Sequence, residues 1–500
     1  MSQSGMKMNL RGKKVTVVGL ARSGAGAANI LVRMGADVTV TDRQPEAKLA
    51  EAVRGLAPSV RRLLGGHPSE LFMSADLIVV SPGVPLEMGQ ISSAKAKGIP
   101  VIGELELAYQ ILEDAGLKAE GARNGKRIPF LAVTGSNGKS TTTTLLDCML
   151  RKGGCKTLLG GNIGNALTEE ILKTVNSEKS EMKSKKGNVS PPAFHFPQDY
   201  IVVEVSSFQL DSIYRFRPHI AAILNITPDH LDRYHSLAEY GGSKARIFEN
   251  QNGGDFIVLN ADDLEIEKVE NQRLRGRTGG PDVLYFSRRK KVRGMYYKDG
   301  NIYCDIPGLS CLPDHPFIAA EEIGIKGVHN LENAMAASAM ALLAGCPRRA
   351  VIESLKEFGG LEHRLEFVRE LDGVRYVNDS KGTNVGAVMK SIESFDDPVV
   401  LIAGGRDKAG DFSALRDLVS RKVRALVLIG EAAVKIKNAL GDVTDTVMAG
   451  DLKDAVTICR EKAVKGDVVL LSPACASFDM FSDFEDRGRQ FKQMVKELGR

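Results

Sequence analysis

The 500-residue chain has no tryptophan, and its seven cysteines include no C-x-x-C pair. An odd number of thiols without paired spacing argues against a disulfide scaffold and a structural zinc site. It favours reduced cysteines in a cytoplasmic protein. Long apolar runs are also missing: none approaches the roughly 20 residues needed to cross a bilayer, so no membrane association is expected. The N-terminal stretch MSQSGMKMNLRGKK carries basic residues, but the apolar segment 15–20 after it is short and ends in turn formers. It reads as a strand, not a signal peptide. Charge of one sign is scarce as well. A net charge of +5 gives no argument for nucleic acid, although a mildly basic cleft for phosphates would fit.

What is present is an ordinary globular composition, 43% apolar and 26% charged. The length suggests about three domains of roughly 150 residues each. KKVTVVGL, ADVTVTD and ADLIVVSPG read as buried strands, with GAGAANILVRMG as a helix between the first two. This alternation predicts βαβ units and a mainly parallel sheet. A second alternating set runs from RIPFLAVTG through DYIVVEVSS, HIAAILNIT and DFIVLNA, and HNLENAMAASAMALLAG predicts a long helix closed by a glycine. A third begins near Gly360 with GVRYVND, DPVVLIAGG, VRALVLIG and GDVVLLSP. The fold class expected is therefore α/β in three domains, over residues 1–120, 121–360 and 361–500. The Ser/Lys/Glu-rich stretch 175–198 reads as a mobile surface insertion. RRKK at 288–291 reads as a solvated turn before a hairpin in YYKDGNIY. No solenoid repeat is visible.

The phosphate-binding signal is LAVTGSNGKSTTTTLL. Gly138, Lys139 and Ser140 fit the second half of the P-loop pattern, but the first glycine position holds Val133, and Gly135 stands only three residues before Gly138. A strand precedes this loop and a helix follows it. Backbone N–H groups at the helix start attract anions, Lys139 adds a point charge, and Ser140 or Thr141 offers a hydroxyl to Mg²⁺. Glu204, ending the strand IVVE, is an acid in a buried pattern, which needs a partner or a metal. NITPDHLDRYHS offers Asn225, Asp229, His230 and Asp232 after another strand. Read alone, His230 fits a satisfied polar residue better than a ligand, and Lys244 fits a solvated helix lysine. In the first domain Gly19 and Gly24 have the spacing of the outer glycines of G-x-G-x-x-G, but the middle position is Ala21. The helix start with Ser23 can face a diphosphate, Asp42 can accept from a ribose or base, and SPGV, with Ser81 and Gly83, can close the pocket. Cys475 in SPACAS has no evident partner and reads as a small buried thiol.

At this point a resemblance appears. TGSNGKST, EVSSFQL, NITPDHLDRY, HNLENA, HRLE, NDSKGTN, GGRDKAGDF and SPACASFDMF occur in the order seen in the Mur ligases of peptidoglycan synthesis, across most of the chain. SSFQL and SPACASFD look most like the branch that adds D-glutamate. The resemblance implies an N-terminal Rossmann-like nucleotide-binding domain, a central P-loop ATPase-like domain and a C-terminal Rossmann-like domain. It implies an ATP-dependent amide ligase with UDP-N-acetylmuramoyl-L-alanine and D-glutamate as substrates, two Mg²⁺ ions, and a monomer in the cytoplasm. Gly135, Ser136, Asn137, Gly138, Lys139, Ser140 and Thr141 would form the phosphate loop. Glu204 would ligate one metal, and His230 a second. Lys244 would be carbamylated, becoming an oxygen-ligand anion. Asn330 and Asn333 would lie near the adenine, and Arg364, Asp379 and Lys381 would reach ATP. Asn162 would lie near the nucleotide substrate, and Thr383, Lys408, Ser477 and Phe484 near the amino acid. Three other readings share parts of this pattern. A ligase for another amino acid or a folylpolyglutamate-type enzyme would share the central domain, and a nicotinamide-dependent oxidoreductase would use the first domain without ATP.

Overall fold

The structure is a computed structural model that describes residues 9–114, 127–182, 197–231, 233–274, 276–309 and 315–499. The first sheet contains β1 (Lys14–Val18), β2 (Asp37–Asp42), β3 (Arg61–Leu64), β4 (Leu77–Val80) and β5 (Val101–Gly103). Their order is β3-β2-β1-β4-β5, all parallel. KVTVV and LIVV are buried on both faces, as a parallel sheet covered by helices requires. The strand order reverses between β1 and β4, so a crevice opens beyond the carboxyl ends of these two strands. The turn leaving β1 is tight. Gly19 has φ 91°, and a Cβ on Gly24 would sit 1.9 Å from the Gly19 carbonyl oxygen. That contact is with backbone and cannot rotate away. Gly24→Ala is therefore expected to lose about 3 kcal/mol or more of stability. Thermal unfolding checks this: a melting point within about 2 °C of the parent would show that the turn yields.

The second sheet holds β6 (Phe130–Thr134), β7 (Thr157–Gly161), β8 (Tyr200–Glu204), β9 (Ile220–Ile223), β10 (Phe256–Asn260), β11 (Asp282–Ser287), β12 (Gly294–Lys298), β13 (Asn301–Asp305) and β14 (Ile318–Ala319). The order is β14-β13-β12-β11-β10-β9-β6-β8-β7. Pairing is parallel from β7 to β12 and antiparallel from β12 to β14. The hairpin expected in YYKDGNIY joins β12 to β13, with Asp299 and Gly300 at φ 48° and 80°. Both residues are left-handed, as the two-residue turn needs. The helix Val328–Leu343 packs its buried alanines and methionines on the helix Lys139–Lys152, and Gly345 beyond its end has φ 83°. The stretch 175–198 is not wholly an insertion. Its first part continues the helix Leu167–Met182, and residues 183–196 lie outside the described residues.

The third sheet comprises β15 (Glu366–Leu371), β16 (Val374–Asn378), β17 (Val399–Gly404), β18 (Val423–Ile429), β19 (Asp445–Met448) and β20 (Val468–Leu471). The order is β15-β16-β20-β17-β18-β19, parallel except for β15 against β16.

The first two sheets are joined through the helix Glu104–Asp114. The Glu106 carboxylate accepts from the backbone N–H groups of Tyr214, Arg215 and Phe216, and Glu104 accepts from Thr168 N at 2.6 Å. Tyr109, Phe130 and Phe216 meet edge-on with ring centroids 5.3 to 5.7 Å apart. This apolar seam continues into the cores on either side.

Candidate active site

The phosphate loop, residues 135–138, leaves β6 and enters the helix Lys139–Lys152. Gly138 has φ 83°, and a Cβ there would lie 2.2 Å from Asn333 Oδ1. The missing first glycine is compensated by a brace from the loop after β9. Asn225 Oδ1 accepts from Asn137 N at 2.8 Å, and Asn225 Nδ2 donates to Asn137 O at 3.1 Å. Ser136 Oγ donates to Thr227 O and accepts from Thr227 N, both at 2.9 Å. Lys139 Nζ donates to the carbonyls of Gly135 and Ser136 at 2.8 and 2.9 Å. Burial pushes this ammonium below the usual lysine value, against the pull of Glu204 and Asp229.

Glu204 ends β8 beside Val133 of β6. Its Oε1 accepts from Asn162 Nδ2 at 2.7 Å, and its buried Oε2 has no hydrogen-bond partner among the described residues. Burial opposes its charge, but Lys139, the Ser140 hydroxyl, Asn162 and Arg364 outweigh it and hold the carboxyl below the usual range. An ionised oxygen left open at a helix start, next to the hydroxyl of Ser140, is the donor set a hard divalent cation takes.

His230 follows β9 on a left-handed backbone, φ 55°, and its ring meets Phe208 edge-on at 4.8 Å. Lys244 is not a solvated helix lysine. It is 1% exposed, its Nζ donates to Gly135 O at 3.0 Å, and it lies 4.2 Å over the Tyr240 ring. Burial first, then Lys139, pushes its amine well below the usual lysine value, towards the neutral form.

The third domain reaches into this centre. Arg364 Nη2 donates to Ser140 Oγ at 2.8 Å. Asn384 Nδ2 donates to Asn137 Oδ1 at 3.3 Å and to Asp229 Oδ2 at 3.1 Å. Lys408 Nζ lies 3.5 Å from Asp229 Oδ1, so it is not simply solvated. Asp379, buried and accepting from the Ser391 and Ser472 hydroxyls, is pushed up to about 6. Lys381, 3.5 Å over the Phe484 ring, is pushed down to about 8 by burial and then by Arg364. Arg364, Asp379 and Lys381 line one open pocket with Asn137, Gly138, Thr141, Asn330 and Asn333, about 1070 Å³ including its solvent-filled mouth.

Models of three domains match this chain in sequence. They are the Mur ligase MurD-like N-terminal domain over residues 13–103, the Mur ligase middle domain over 133–341 and the Mur ligase glutamate ligase domain over 363–475. The chain belongs to the Mur ligase family. A relative named UDP-N-acetylmuramoylalanine--D-glutamate ligase, from Geotalea uraniireducens, is 44% identical over 492 residues, covering 98% of this chain and 99% of the relative. One of the same name from Pelotomaculum thermopropionicum is 42% identical over 493 residues, 97% and 98% covered. Among solved structures, the UDP-N-acetylmuramate-alanine ligase of Thermotoga maritima superposes with a TM-score of 0.56 at 18% identity, covering 97% of this chain and 99% of that one. It shares the three-domain fold.

In this Mur ligase the expected residues fall into three groups. The phosphate-loop residues, Glu204, Lys244, Arg364 and Asn162 are tied together by the contacts above. On the helix Val328–Leu343, Asn333 donates to Asn330 at 3.1 Å and accepts from Thr142 Oγ1, so this pair is fastened to the helix that follows the loop. The first-domain residues stand apart, at the ends of β1, β2 and β4. The Asp42 carboxylate accepts from Leu20 N at 2.7 Å and Gln44 N at 2.8 Å, and Ser81 Oγ donates to Gly19 O at 2.8 Å. Both therefore brace the turn that presents Ser23, whatever else they touch. Arg22 Nη1 links this edge to Gly164 O in the loop that carries Asn162. In the third domain Ser477 is buried and Thr383 half-buried.

Sequence reasoning missed Asn384, which caps its helix through Ala387 N while bridging two domains. It also missed Arg487, 1% exposed, which donates to Ser380 Oγ, Ser380 O and Cys475 O and so ties the loop after β16 to the loop after β20. RRKK is not a simple solvated turn either. Arg288 Nε donates to Glu332 Oε1 at 2.6 Å, and Arg288 and Arg289 line the open pocket.

Proposed function

We propose that this Mur ligase joins D-glutamate to UDP-N-acetylmuramoyl-L-alanine at the expense of ATP, a cytoplasmic step of peptidoglycan synthesis. The observation that carries the reading is the convergence on one loop carbonyl. Lys139 and Lys244 both donate to Gly135 O, with the open oxygen of Glu204 in the same centre. This is a site built for phosphate and a hard cation.

In the reaction, the carboxylate of the L-alanyl nucleotide attacks the γ-phosphorus of ATP. A new O–P bond forms, the bond to the β-phosphate oxygen breaks, and ADP leaves. Lys139 turns from the loop carbonyls to the phosphates, while Asn137 and the N–H groups of the helix start cradle them. Ser140 or Thr141 with Glu204 would hold one Mg²⁺, and His230 with carbamylated Lys244 a second. Bound there, the ions supply positive charge to the transferring phosphoryl group. For the carbamate, the neutral Lys244 amine adds to the carbon of CO₂ and releases a proton. Asn330 and Asn333 hold the base, and Arg364, Asp379 and Lys381 close on the nucleotide.

The resulting acyl phosphate meets the D-glutamate amine, which attacks its carbonyl; phosphate leaves and the amine proton departs. Lys408, Thr383 and Ser477 supply cationic and hydroxyl partners for the two carboxylates, with Phe484 closing the pocket. Lys408 must leave Asp229 to do so. Ser23, Asp42, Ser81, Gly83 and Asn162 serve the nucleotide substrate. The domains divide at about 1–120, 121–360 and 361–500, with the protein working as a monomer. Closure of the third domain keeps water from the acyl phosphate.

The test is phosphate release from ATP, Mg²⁺ and UDP-N-acetylmuramoyl-L-alanine with a panel of amino acids. Release that depends on D-glutamate is expected. Better release with L-lysine or diaminopimelate overturns the substrate assignment, and a nicotinamide-dependent absorbance change without ATP overturns the reaction class.

A further inference from the structure

Arg233 fastens the loop that carries His230 to the first domain. Its Nη1 donates to Pro82 O and its Nη2 to Val84 O, each at 3.1 Å. Those carbonyls belong to the turn after β4, at the mouth of the first-domain crevice. The same guanidinium lies 4.2 Å over the Phe208 ring. Phe208 in turn meets the His230 ring edge-on at 4.8 Å and stacks on Tyr234 at 5.9 Å. The N–H groups of Arg233 and Tyr234 both return to the His230 carbonyl. Turn, guanidinium, phenyl ring and imidazole thus form one contiguous chain of contacts across two domains. His230 needs such support, because a non-glycine residue on a left-handed backbone persists only where its surroundings hold it.

We infer that Arg233 is a positioning residue that couples the turn facing the nucleotide substrate to the orientation of His230. The inference rests on the placement of that substrate proposed above. Nucleotide bound in the first domain steadies the turn, the turn steadies the guanidinium, and the guanidinium steadies the imidazole through Phe208. Lysine is a poor replacement. A planar fork can reach two carbonyls while lying flat on a ring, whereas a single ammonium cannot do all three.

The experiment compares the parent with Arg233→Met and Arg233→Lys. One readout is hydrogen exchange of the peptide spanning 225–235 with and without UDP-N-acetylmuramoyl-L-alanine, each at saturation. The other is steady-state kinetics, with thermal unfolding as a check. In the parent, nucleotide should slow exchange of this peptide, and in both variants most of that protection should vanish. kcat should fall about 10-fold while the KM for ATP stays within about twofold and the melting point is nearly unchanged. Full protection in Arg233→Met, or full rescue by lysine, overturns the coupling. So does a fall in melting point with every KM rising together, which marks simple domain packing. A parent that does not bind the nucleotide at all overturns the substrate placement and this inference with it; binding with protection intact in the variant overturns this inference alone.

Discussion

Lys139→Ala should lower kcat by about 10³-fold or more, with a much smaller change in the KM for D-glutamate. The expectation follows from where the lysine sits. Its ammonium stands half-buried at the start of a helix, among backbone N–H groups that already favour anions. Burial makes an added charge there act through a low dielectric, so its attraction to the transferring phosphoryl group is far larger than at a surface. Without nucleotide the ammonium donates to the carbonyls of Gly135 and Ser136; in the alanine variant Gly135 O keeps Lys244 as a donor, and the Ser136 carbonyl loses its lysine partner. Lys139→Arg separates these effects. It keeps a cation but places a bulkier, planar group in a loop closed by Asn333 and Asn225, and should recover folding without full turnover. Oxygen transfer tests the same chemistry from the substrate side. With ¹⁸O in the L-alanyl carboxylate, one labelled oxygen should appear in the released phosphate. Parent-like peptide-bond formation by Lys139→Ala, or unlabelled phosphate, would end the acyl-phosphate mechanism.

Which parts of this arrangement were readable in the sequence follows from what each residue's neighbours are. Central strands such as KVTVV, LIVV and VVLIAG are buried on both faces and carry continuous apolar runs, so they stand out. Edge strands do not. RRLL of β3 is mostly exposed, DTVM of β19 has no fully buried position, and EFVREL of β15 presents Phe367 at 60% exposure. Their pairing is dictated by the neighbouring strand, which no local pattern records. The Asp-Gly hairpin was legible because its turn type demands those residues. Lys244 was legible only through resemblance. Its helix, LAEYGGSKA, has polar residues on more than one side, and nothing in that pattern says which face the phosphate loop will cover. Asn384 was missed: it caps its own helix, and its second role exists because the third domain folds back onto Asn137 and Asp229. Asp42 shows the converse. Its spacing suggested a ribose acceptor, and the same position is where a carboxylate can fasten the β1 turn through Leu20 N. Spacing fixes where an acid stands, and the backbone amides around it decide what it holds.

Lys244→Ala should lose most turnover, about 10²-fold or more, and regain part of it with a small added carboxylic acid such as acetate or propionate. Two properties of the site lead to this. A fully buried ammonium beside Lys139 is unfavourable, so the side chain is driven towards a neutral amine, the form that adds CO₂. A carbamate at this position would invert the charge, and the repulsion between two lysines at Gly135 O would become an attraction between Lys139 and an anion. Truncation to alanine removes the nitrogen that lies over the Tyr240 ring and the three carbons beyond Cβ, leaving room for a small carboxylate to supply the missing oxygens. Lys244→Arg discriminates between charge and carbamate. A guanidinium stays cationic and cannot accept CO₂, so this variant should be as inactive as alanine and indifferent to acetate, its space being filled. Activity in the arginine variant would mean that the site needs a cation at this position. Parent-like activity in the alanine variant without any additive would remove Lys244 from the mechanism, and the buried amine would then serve only to hold the Gly135 carbonyl.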